Sequence, residues 1–185
     1  MDKNEIRRKI RARKSMLTHA EMLSAAANVW QQLEELAAFM MADNVLMYHS
    51  LPDELCTHEF LDKWHERKHL FLPRVNGVNL DILPYHRTRT HLGAFRIEEP
   101  DGDDTTDVGQ MELIVVPAMA YDRKGNRVGR GKGYYDRLLS GTKALKVGVA
   151  YDCQLVDEIT AEATDVPVDI VITESRTYIV HKSKK

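Results

Sequence analysis

Residues 113–119 read LIVVPAM, and this nearly continuous apolar run is the stretch that decides the fold. A strand that is apolar at every position is covered on both faces, as in a parallel sheet. Further strands are predicted at Asn44–His49 (NVLMYH), Lys146–Tyr151 (KVGVAY) and Val168–Thr173 (VDIVIT). Helical patterns alternate with these strands. The sequence therefore predicts an α/β layered sandwich with a mainly parallel central sheet flanked by helices.

The N-terminal third carries two helical patterns. Ile6, Ile10 and Leu17 share one stripe of a helix over residues 2–17. Thr18 and Glu21 have the spacing of a capping box and start a second helix.

The remaining elements follow from the same patterns. Residues 98–109 hold six acidic side chains and predict a solvated loop. Helices are expected over residues 57–68, at about 134–140 and near 154–162, and extended segments over His69–Val75 and in two parts of residues 79–97, the second being GAFRIE.

Composition limits the class of protein. The 185 residues favour one domain over 1–185, with 43% hydrophobic and 29% charged side chains and a net charge of −2. Cys56 and Cys153 are expected to be reduced thiols, since two cysteines make no disulfide framework. No apolar run reaches the length of a membrane span, and the basic N-terminus lacks a signal-peptide core. We expect a cytoplasmic protein.

The chemistry is concentrated in Asp122–Arg137, DRKGNRVGRGKGYYDR. Alternating glycines at 129, 131 and 133 let successive N–H groups form an anion nest, and a following helix adds its positive N-terminal end. Arg127, Arg130 and Lys132 supply charge-assisted donors for phosphate oxygens. The alternative is a flexible surface turn. A Walker A loop would need glycine at Asn126 and Ser or Thr at Gly133, and a dinucleotide fingerprint would need glycine at Tyr134, so the loop is of another kind.

Two aspartates are candidate magnesium ligands. Asp136 follows the loop and could hold Mg²⁺ or stabilise its helix dipole. Asp169 interrupts an apolar strand, where a charge is costly unless it is paired, bound to metal or facing solvent at a strand end. We expect both carboxylates at the C-terminal side of the parallel sheet, beside the loop.

Two further patterns have alternative interpretations. The first is a basic stripe on the N-terminal helix, which could contact phosphate, form a solvated face or bind nucleic acid: Lys3, Arg7, Arg11 and Lys14. The second is His65-Glu-Arg-Lys-His69, which fits the zinc-protease pattern H-E-x-x-H. Because LFLPRV has strand character, the helix should end at about Lys68, which would separate the histidines and predicts no zinc site.

The chain resembles the 5-formyltetrahydrofolate cyclo-ligase (5,10-methenyltetrahydrofolate synthetase) family. The resemblance lies in PDE at 52–54, VVPAMAYDRKGNRVGRGKGYYDRLL at 115–139 and KVGVAYD…VPVDIVIT at 146–173, of which GRGKGYYDR is the most specific. The chain departs from the family at Thr164, where histidine is frequent, and at His49, where apolar residues also occur.

The resemblance implies roles for particular residues. Lys3 and Arg7 match an ATP-contacting pair, and Asp136 and Asp169 match magnesium positions. His49 and Glu54 match positions lining the folate pocket. The ATP loop corresponds to Arg127, Val128, Gly129, Arg130, Gly131, Lys132, Gly133, Tyr134 and Tyr135, of which Arg130–Tyr134 also face the folate, and Arg130 and Lys132 are the expected catalytic cations.

The implied reaction uses ATP and Mg²⁺ to cyclise 5-formyltetrahydrofolate to 5,10-methenyltetrahydrofolate, with small molecules as partners and no nucleic acid, membrane or obligate protein partner. Tyr134 and Tyr135 could hold the flat pterin or serve packing. Two other classes stay open at this point. One is another phosphate-handling α/β enzyme of sugar-phosphate isomerase type, and the other is a nucleotide- or RNA-binding module.

Overall fold

A seven-stranded sheet lies at the centre of residues 1–182, which are the residues that this computed structural model describes. The helices are α1 (Lys3–Lys14), α2 (His19–Glu35), α3 (Ala37–Met41), α4 (His58–Trp64) and α5 (Tyr134–Leu139). The strands are β1 (Asn44–Leu46), β2 (His69–Asn76), β3 (Asn79–Pro84), β4 (Thr90–Leu92), β5 (Glu98–Pro100), β6 (Leu113–Val116), β7 (Ala120–Tyr121), β8 (Arg127–Val128), β9 (Leu145–Val149), β10 (Ile170–Ile172) and β11 (Thr177–Ile179).

The strand order of the central sheet is β11-β10-β9-β6-β1-β2-β3. The five inner strands run parallel, and β3 and β11 are antiparallel at the two edges. Two small hairpins, β4–β5 and β7–β8, lie outside this sheet. The predicted α/β sandwich with a mainly parallel sheet is confirmed.

Strand β6 shows why the apolar run at 113–119 was decisive. Leu113 and Val115 pack into the cluster on one face of the sheet, which α2, α3 and α4 cover. Ile114 and Val116 pack into the cluster on the other face, with α5 and the β7–β8 hairpin. All four residues are at most 1% exposed, so the strand needs an apolar side chain at every position.

The two N-terminal helices form as predicted. Asp2 and Glu5 make a capping box at the start of α1, and Thr18 and Glu21 make another at the start of α2. No helix among residues 1–182 is long and apolar enough to cross a membrane.

The helix predicted near 154–162 is wrong. The structure has a 3-10 turn at Asp152–Gln154 and no regular helix from there to Asp169. Two backbone N–H groups of this segment donate outside it, Val156 to the Tyr121 carbonyl at 2.9 Å and Ile159 to the Asp122 carboxylate at 2.9 Å. The segment is therefore held in extended form along the β7–β8 hairpin, with Ile159 packed in the same cluster as α1.

The extended segment predicted at GAFRIE is also wrong. Ala94–Arg96 form a 3-10 turn in which Phe95 has φ 59° and Arg96 has φ 58°. Part of the expected solvated loop is ordered as well, because β5 covers Glu98–Pro100 and Glu99 is only 5% exposed.

The H-E-x-x-H pattern does not lie on one helix. Helix α4 ends at Trp64 with His65 as its C-cap, and His69 opens β2. The prediction that the helix ends before His69 is confirmed, and the helix ends four residues earlier than expected, at Trp64.

Candidate active site

The glycine-rich loop at 129–133 connects β8 to α5, so it follows the β7–β8 hairpin rather than the buried strand β6 directly. Two of its glycines have left-handed backbone, Gly131 at φ 103° and Gly133 at φ 71°. A Cβ on Gly129 would lie 2.9 Å from the Arg127 guanidinium. The sequence alternation of glycines therefore reflects backbone bends and a close approach.

The backbone N–H groups and the carbonyl oxygens of the loop differ in their partners. Arg7 and Arg137 donate to the carbonyl oxygens of Gly129 and Lys132 at 2.8 and 2.7 Å. Within the described residues, by contrast, no backbone N–H from 129 to 133 donates to a protein acceptor, and Gly133 caps α5 without a side-chain bond. Free N–H groups in a glycine-rich bend are the donors of an anion site.

Helix α1 brings its basic stripe against the protein. Lys3 binds the Asp165 carboxylate at 2.7 Å, and Lys14 binds the Asp53 carboxylate at 2.8 Å. With Arg7 at the loop, three of the four stripe residues contact the chain, which excludes a simple solvated face. Arg11 is exposed between Arg7 and Lys14.

Arg127 is the buried cation of the site. Its side chain is 5% exposed and contacts Asp136 at 3.3 Å, and its Nε is buried without a hydrogen-bond partner among the described residues. An unsatisfied buried donor is costly, and a phosphate oxygen would satisfy it. Val128 is fully buried, so its side chain serves the core rather than a ligand.

Arg130 joins the loop to the segment after β1. Its guanidinium lies 3.5 Å from Asp53 and 3.7 Å from Glu54, and its side chain is 47% exposed. These long ion pairs leave it accessible to an anionic ligand. The pKa of Asp53 is lowered from its ordinary value. Partial burial raises this pKa, but the hydrogen bond and the charge of Lys14, together with the charge of Arg130, lower it by more. Asp53 is therefore ionised beside the loop.

Glu54 and His49, the two expected folate residues, both follow β1 at its C-terminal end. Burial raises the pKa of Glu54, whose Oε1 accepts the Leu51 N–H at 2.9 Å. His49 stacks on His58 with ring centroids 4.4 Å apart. Burial lowers the pKa of His49, and the neighbouring His58 lowers it further. The structure brings Glu54 to Arg130, but within the described residues it gives His49 no hydrogen bond to the loop.

The remaining loop side chains differ in exposure. Lys132 is exposed, with its Nζ 5.8 Å from the Phe95 ring centroid. Tyr134 packs under Arg137 and donates to the Gly77 carbonyl at 3.3 Å. Tyr135 packs against the Arg127 guanidinium, and burial raises its pKa. Both tyrosines thus have packing partners within the protein.

Asp169 lies where the sequence did not place it. It precedes β10 at the N-terminal end of that strand, and its carboxylate accepts the Lys146 N–H at the start of β9 at 2.9 Å. Its other oxygen pairs with Lys182 at 3.2 Å. The expected position at the C-terminal side of the sheet is therefore wrong, and both oxygens of this carboxylate already have protein partners.

Asp165 is the acidic residue whose neighbour in the chain bonds to Asp136. The Val166 N–H donates to Asp136 Oδ1 at 3.1 Å, which makes Asp165 the adjacent residue. Arg127 contacts Asp136. The pKa of Asp165 is lowered: burial raises it, but the hydrogen bonds from Glu162 and Lys3 and the charges of Lys3 and Arg127 together lower it by more. Two carboxylates near a phosphate loop fit Mg²⁺, which takes one or two carboxylates plus phosphate oxygens and water.

Sequence reasoning missed three residues that shape the site. Asp122 is fully buried and its carboxylate accepts the N–H groups of Lys124, Asn126 and Ile159, which fixes the turn before β8. Arg137 fixes the loop, and Asp165 fixes Lys3. An aspartate three residues before a glycine is a recognisable turn signal for the first. The Asp165–Lys3 contact spans 162 positions and leaves no local pattern, and the Arg137–Lys132 contact, although only five positions apart, follows no motif considered in the sequence.

The chain is similar to known folate enzymes over nearly its whole length. The model of the 5-formyltetrahydrofolate cyclo-ligase family matches residues 1–174. The 5-formyltetrahydrofolate cyclo-ligase of Escherichia coli (strain K12) is 30% identical over 179 residues, covering 91% of this chain and 98% of that protein. The Haemophilus influenzae enzyme of the same name is 30% identical over 181 residues, covering 92% and 97%.

Solved structures agree with these relatives. The NMR structure of Aquifex aeolicus 5,10-methenyltetrahydrofolate synthetase superposes with a TM-score of 0.90 at 32% identity, covering 100% of this chain and 96% of that one. A 5,10-methenyltetrahydrofolate synthetase from Mycoplasma pneumoniae superposes with a TM-score of 0.75 at 21% identity, covering 94% and 99%, and shows the shared fold.

Proposed function

The chain belongs to the 5-formyltetrahydrofolate cyclo-ligase family, and from that membership we propose a mechanism in which ATP phosphorylates the formyl oxygen of 5-formyltetrahydrofolate before the ring closes. The protein is an ATP-using ligase of folate one-carbon metabolism. The products are 5,10-methenyltetrahydrofolate, ADP and phosphate.

One observation carries this proposal. Within the described residues, the loop at 129–133 has free backbone N–H groups, while its carbonyl oxygens at positions 129, 132 and 133 accept from Arg7 and Arg137. Around these donors lie the buried Arg127, with an unsatisfied Nε, and the exposed Arg130 and Lys132. Preorganised donors and fixed cations of this kind stabilise the charge of a transferring phosphoryl group.

In the first step the formyl oxygen attacks the γ-phosphorus of ATP, and the bond from that phosphorus to the β–γ bridging oxygen breaks. ADP leaves with the electron pair. Arg130 and Lys132 are the proposed catalytic cations, because they are the exposed ones on the loop. Lys3, Arg7, Arg127 and the loop from Val128 to Tyr135 are the proposed ATP contacts.

In the second step N10 attacks the activated formyl carbon. The carbon–oxygen bond breaks, phosphate departs with that oxygen, and N10 loses its proton. The protein's task is to hold N10 against the carbon and exclude water. Glu54 and His49 are proposed to line the folate pocket with Arg130, Gly131, Lys132, Gly133 and Tyr134. No covalent nucleophile is needed, and burial raises the pKa of the Cys153 thiol.

Asp136 and Asp165 are the proposed residues that hold Mg²⁺. Asp136 Oδ1 accepts from Val166 and Arg127, which leaves Oδ2 available, and the side chain is 23% exposed. When bound, Mg²⁺ neutralises phosphate charge in the transition state. Asp169 is replaced by Asp165 in this proposal because both oxygens of Asp169 have protein partners.

The experiment is a coupled measurement of ring closure and ATP use. Methenyl absorbance and ADP should grow in a one-to-one ratio when the protein meets ATP, Mg²⁺ and 5-formyltetrahydrofolate. Lys132→Ala should lower kcat/KM for ATP about 10- to 150-fold, because a charge-assisted hydrogen bond contributes roughly 1.5–3 kcal/mol. Lys124→Ala, on an exposed turn with its Nζ 3.0 Å from Glu158, is the matched control and should have no effect.

Other outcomes distinguish the remaining classes. ADP formation without ring closure would contradict the proposal. Sugar-phosphate isomerisation would need no ATP. Binding to RNA with steep salt dependence and no turnover would indicate the binding module.

A further inference from the structure

One carboxylate joins the N-terminal helix to the phosphate loop. Asp53 Oδ2 accepts from the Lys14 Nζ at 2.8 Å, and Asp53 Oδ1 lies 3.5 Å from the Arg130 guanidinium. Each oxygen of this carboxylate therefore faces a different cation. Because Lys14 belongs to α1 and Arg130 to the loop after β8, Asp53 connects two elements that build the site.

Lys14 fixes the position of Asp53. The Lys14 side chain is 7% exposed, and its Nζ also donates to the Asp53 carbonyl oxygen at 3.1 Å. A buried ammonium group is costly unless it is paired and hydrogen-bonded. The two contacts therefore restrict both the backbone and the carboxylate of Asp53.

The Arg130 side chain depends on this carboxylate for its orientation. Its guanidinium is half exposed, and its ion pairs within the described residues are with Asp53 and, at 3.7 Å, with Glu54. A long exposed side chain samples many rotamers unless fixed partners hold it. Asp53 is the nearer of the two partners.

The backbone of Arg130 is also fixed from α1. Arg7 donates to the carbonyl oxygen of Gly129, in the peptide bond that precedes Arg130. Helix α1 thus sets both ends of Arg130, the backbone through Arg7 and the guanidinium through Lys14 and Asp53.

We propose that Asp53 is a positioning residue, which holds the Arg130 guanidinium toward the transferring phosphoryl group. This inference rests on the proposed function, in which Arg130 is a catalytic cation. Asp53 acts through Arg130, because a carboxylate repels the phosphate oxygens themselves. An ion pair between half-exposed groups contributes little to stability. Its effect is on orientation, since a misplacement of about 1 Å can lower a rate about 100-fold.

Other roles for Asp53 predict different kinetics. If the carboxylate acted only as a charge beside an anion site, its removal would lower the ATP KM and leave kcat unchanged. If it restrained Arg130 away from the phosphates, its removal would raise the rate. If it served folding alone, its loss would have the same effect with and without Arg130.

The test is a double-mutant cycle between Asp53 and Arg130 in the full-length protein, with ATP and 5-formyltetrahydrofolate as substrates. Asp53→Asn removes the charge and keeps the size, and Lys14 retains the carbonyl of this residue, so the protein should fold. Asp53→Glu keeps the charge. Asp62→Asn is the matched control, because Asp62 is a half-exposed carboxylate 3.4 Å from Arg87. The measured quantities are kcat, the ATP KM and the thermal midpoint.

Asp53→Asn should lower kcat about 10- to 100-fold without raising the ATP KM, and Arg130→Ala should lower kcat at least as much. Adding Asp53→Asn to Arg130→Ala should change kcat less than about twofold, because no guanidinium remains to be positioned. Asp53→Glu should recover most of the rate, and Asp62→Asn should match wild type.

The inference is overturned if Asp53→Asn keeps or raises the wild-type kcat, or if it lowers kcat equally in the Arg130→Ala background. Either result leaves the proposed function standing, because wild type is active in both cases. A wild-type protein that does not cyclise 5-formyltetrahydrofolate would overturn the proposed function and this inference with it.

Discussion

Arg7 donates from its Nε to the carbonyl oxygen of Gly129 at 2.8 Å, although 122 positions separate the two residues in the sequence. The bond fixes the N-terminal helix against the glycine-rich loop. It also occupies the carbonyl on one side of the bend, whereas the N–H groups of 129–133 have no acceptor among the described residues. The second donor end of Arg7 bonds to Asn4, 2.7 Å away on the same helix, which orients the guanidinium.

Replacing Arg7 should therefore damage ATP use more than stability. Arg7→Ala removes a cation and releases the loop carbonyl, and we expect kcat/KM for ATP to fall about 10- to 150-fold, the equivalent of one charge-assisted hydrogen bond. Arg8→Ala, an exposed cation one residue along the same helix, is the control. Steady-state kinetics at varied ATP make the measurement. An equal loss in both variants would mean that α1 contributes only through its net charge.

The magnesium proposal makes a prediction about three aspartates. Asp136→Asn and Asp165→Asn should each raise the Mg²⁺ concentration for half-maximal rate, by roughly 10- to 100-fold. Their double variant should be non-additive if both carboxylates hold one ion. Asp169→Asn should lower the thermal midpoint by weakening the contacts to Lys146 and Lys182, with an unchanged magnesium requirement.

A magnesium titration of the four variants makes this measurement. Because Asp165 also binds Lys3 at 2.7 Å, Lys3→Ala, which loses this ion pair together with a proposed ATP contact, is titrated beside them. If Asp169→Asn raised the magnesium requirement and Asp165→Asn did not, the assignment drawn from the structure would be reversed.

His49 predicts a pH dependence of stability. Burial and then His58 lower its pKa from 6.5, with Glu98 acting weakly in the opposite direction. The unfolded chain therefore takes up this proton at a higher pH than the folded chain does. The free energy of unfolding should fall as the pH falls through about 6.5, until the folded protein also binds the proton.

The measurement is denaturant unfolding between about pH 8 and pH 5. In His49→Leu this part of the pH dependence should disappear, so the difference from wild type should narrow or reverse at low pH. His19→Leu, at an exposed position in α2, is the control. If the difference in unfolding free energy between wild type and His49→Leu stayed constant across the pH range, His49 would have the same pKa in the folded and unfolded states.

The absence of zinc remains a prediction. His65 caps α4 and its ring packs edge-on to Tyr85, whereas His69 lies at the start of β2 and contacts Asn44 at 3.2 Å. We expect His65→Ala and His69→Ala to retain nearly full activity. Elemental analysis of protein purified without chelators is the check, and about one zinc per chain would overturn this interpretation.

Local signals in the sequence predicted most of the fold. The capping box at Thr18 and Glu21, and the apolar strand at Leu113–Val116, report interactions among neighbours or burial on both faces, and both kinds of pattern are visible in a short window. The failures have the opposite character. The segment 154–162 has a helical pattern, but Tyr121 and Asp122 capture its backbone N–H groups, and that competition is invisible in the segment itself.

In the site, too, the features with a local sequence pattern could be predicted and those set by distant residues could not. The loop from Gly129 to Gly133 can be recognised in the sequence by its glycines and cations. The position of Asp169 could not be predicted, because one residue at a strand start and one at a strand end look alike in a short apolar run. Asp165 became a candidate only through the bond from Val166 to Asp136, which joins residues 30 positions apart.

The most direct test of the account follows the formyl oxygen. 5-Formyltetrahydrofolate carrying ¹⁸O in its formyl group is converted with ATP and Mg²⁺, and the inorganic phosphate is analysed by mass spectrometry. Because the formyl oxygen attacks the γ-phosphorus and leaves with it, each phosphate released should carry one ¹⁸O atom. Unlabelled phosphate, with the label found in water, would show that ATP is hydrolysed separately from ring closure and would contradict the mechanism.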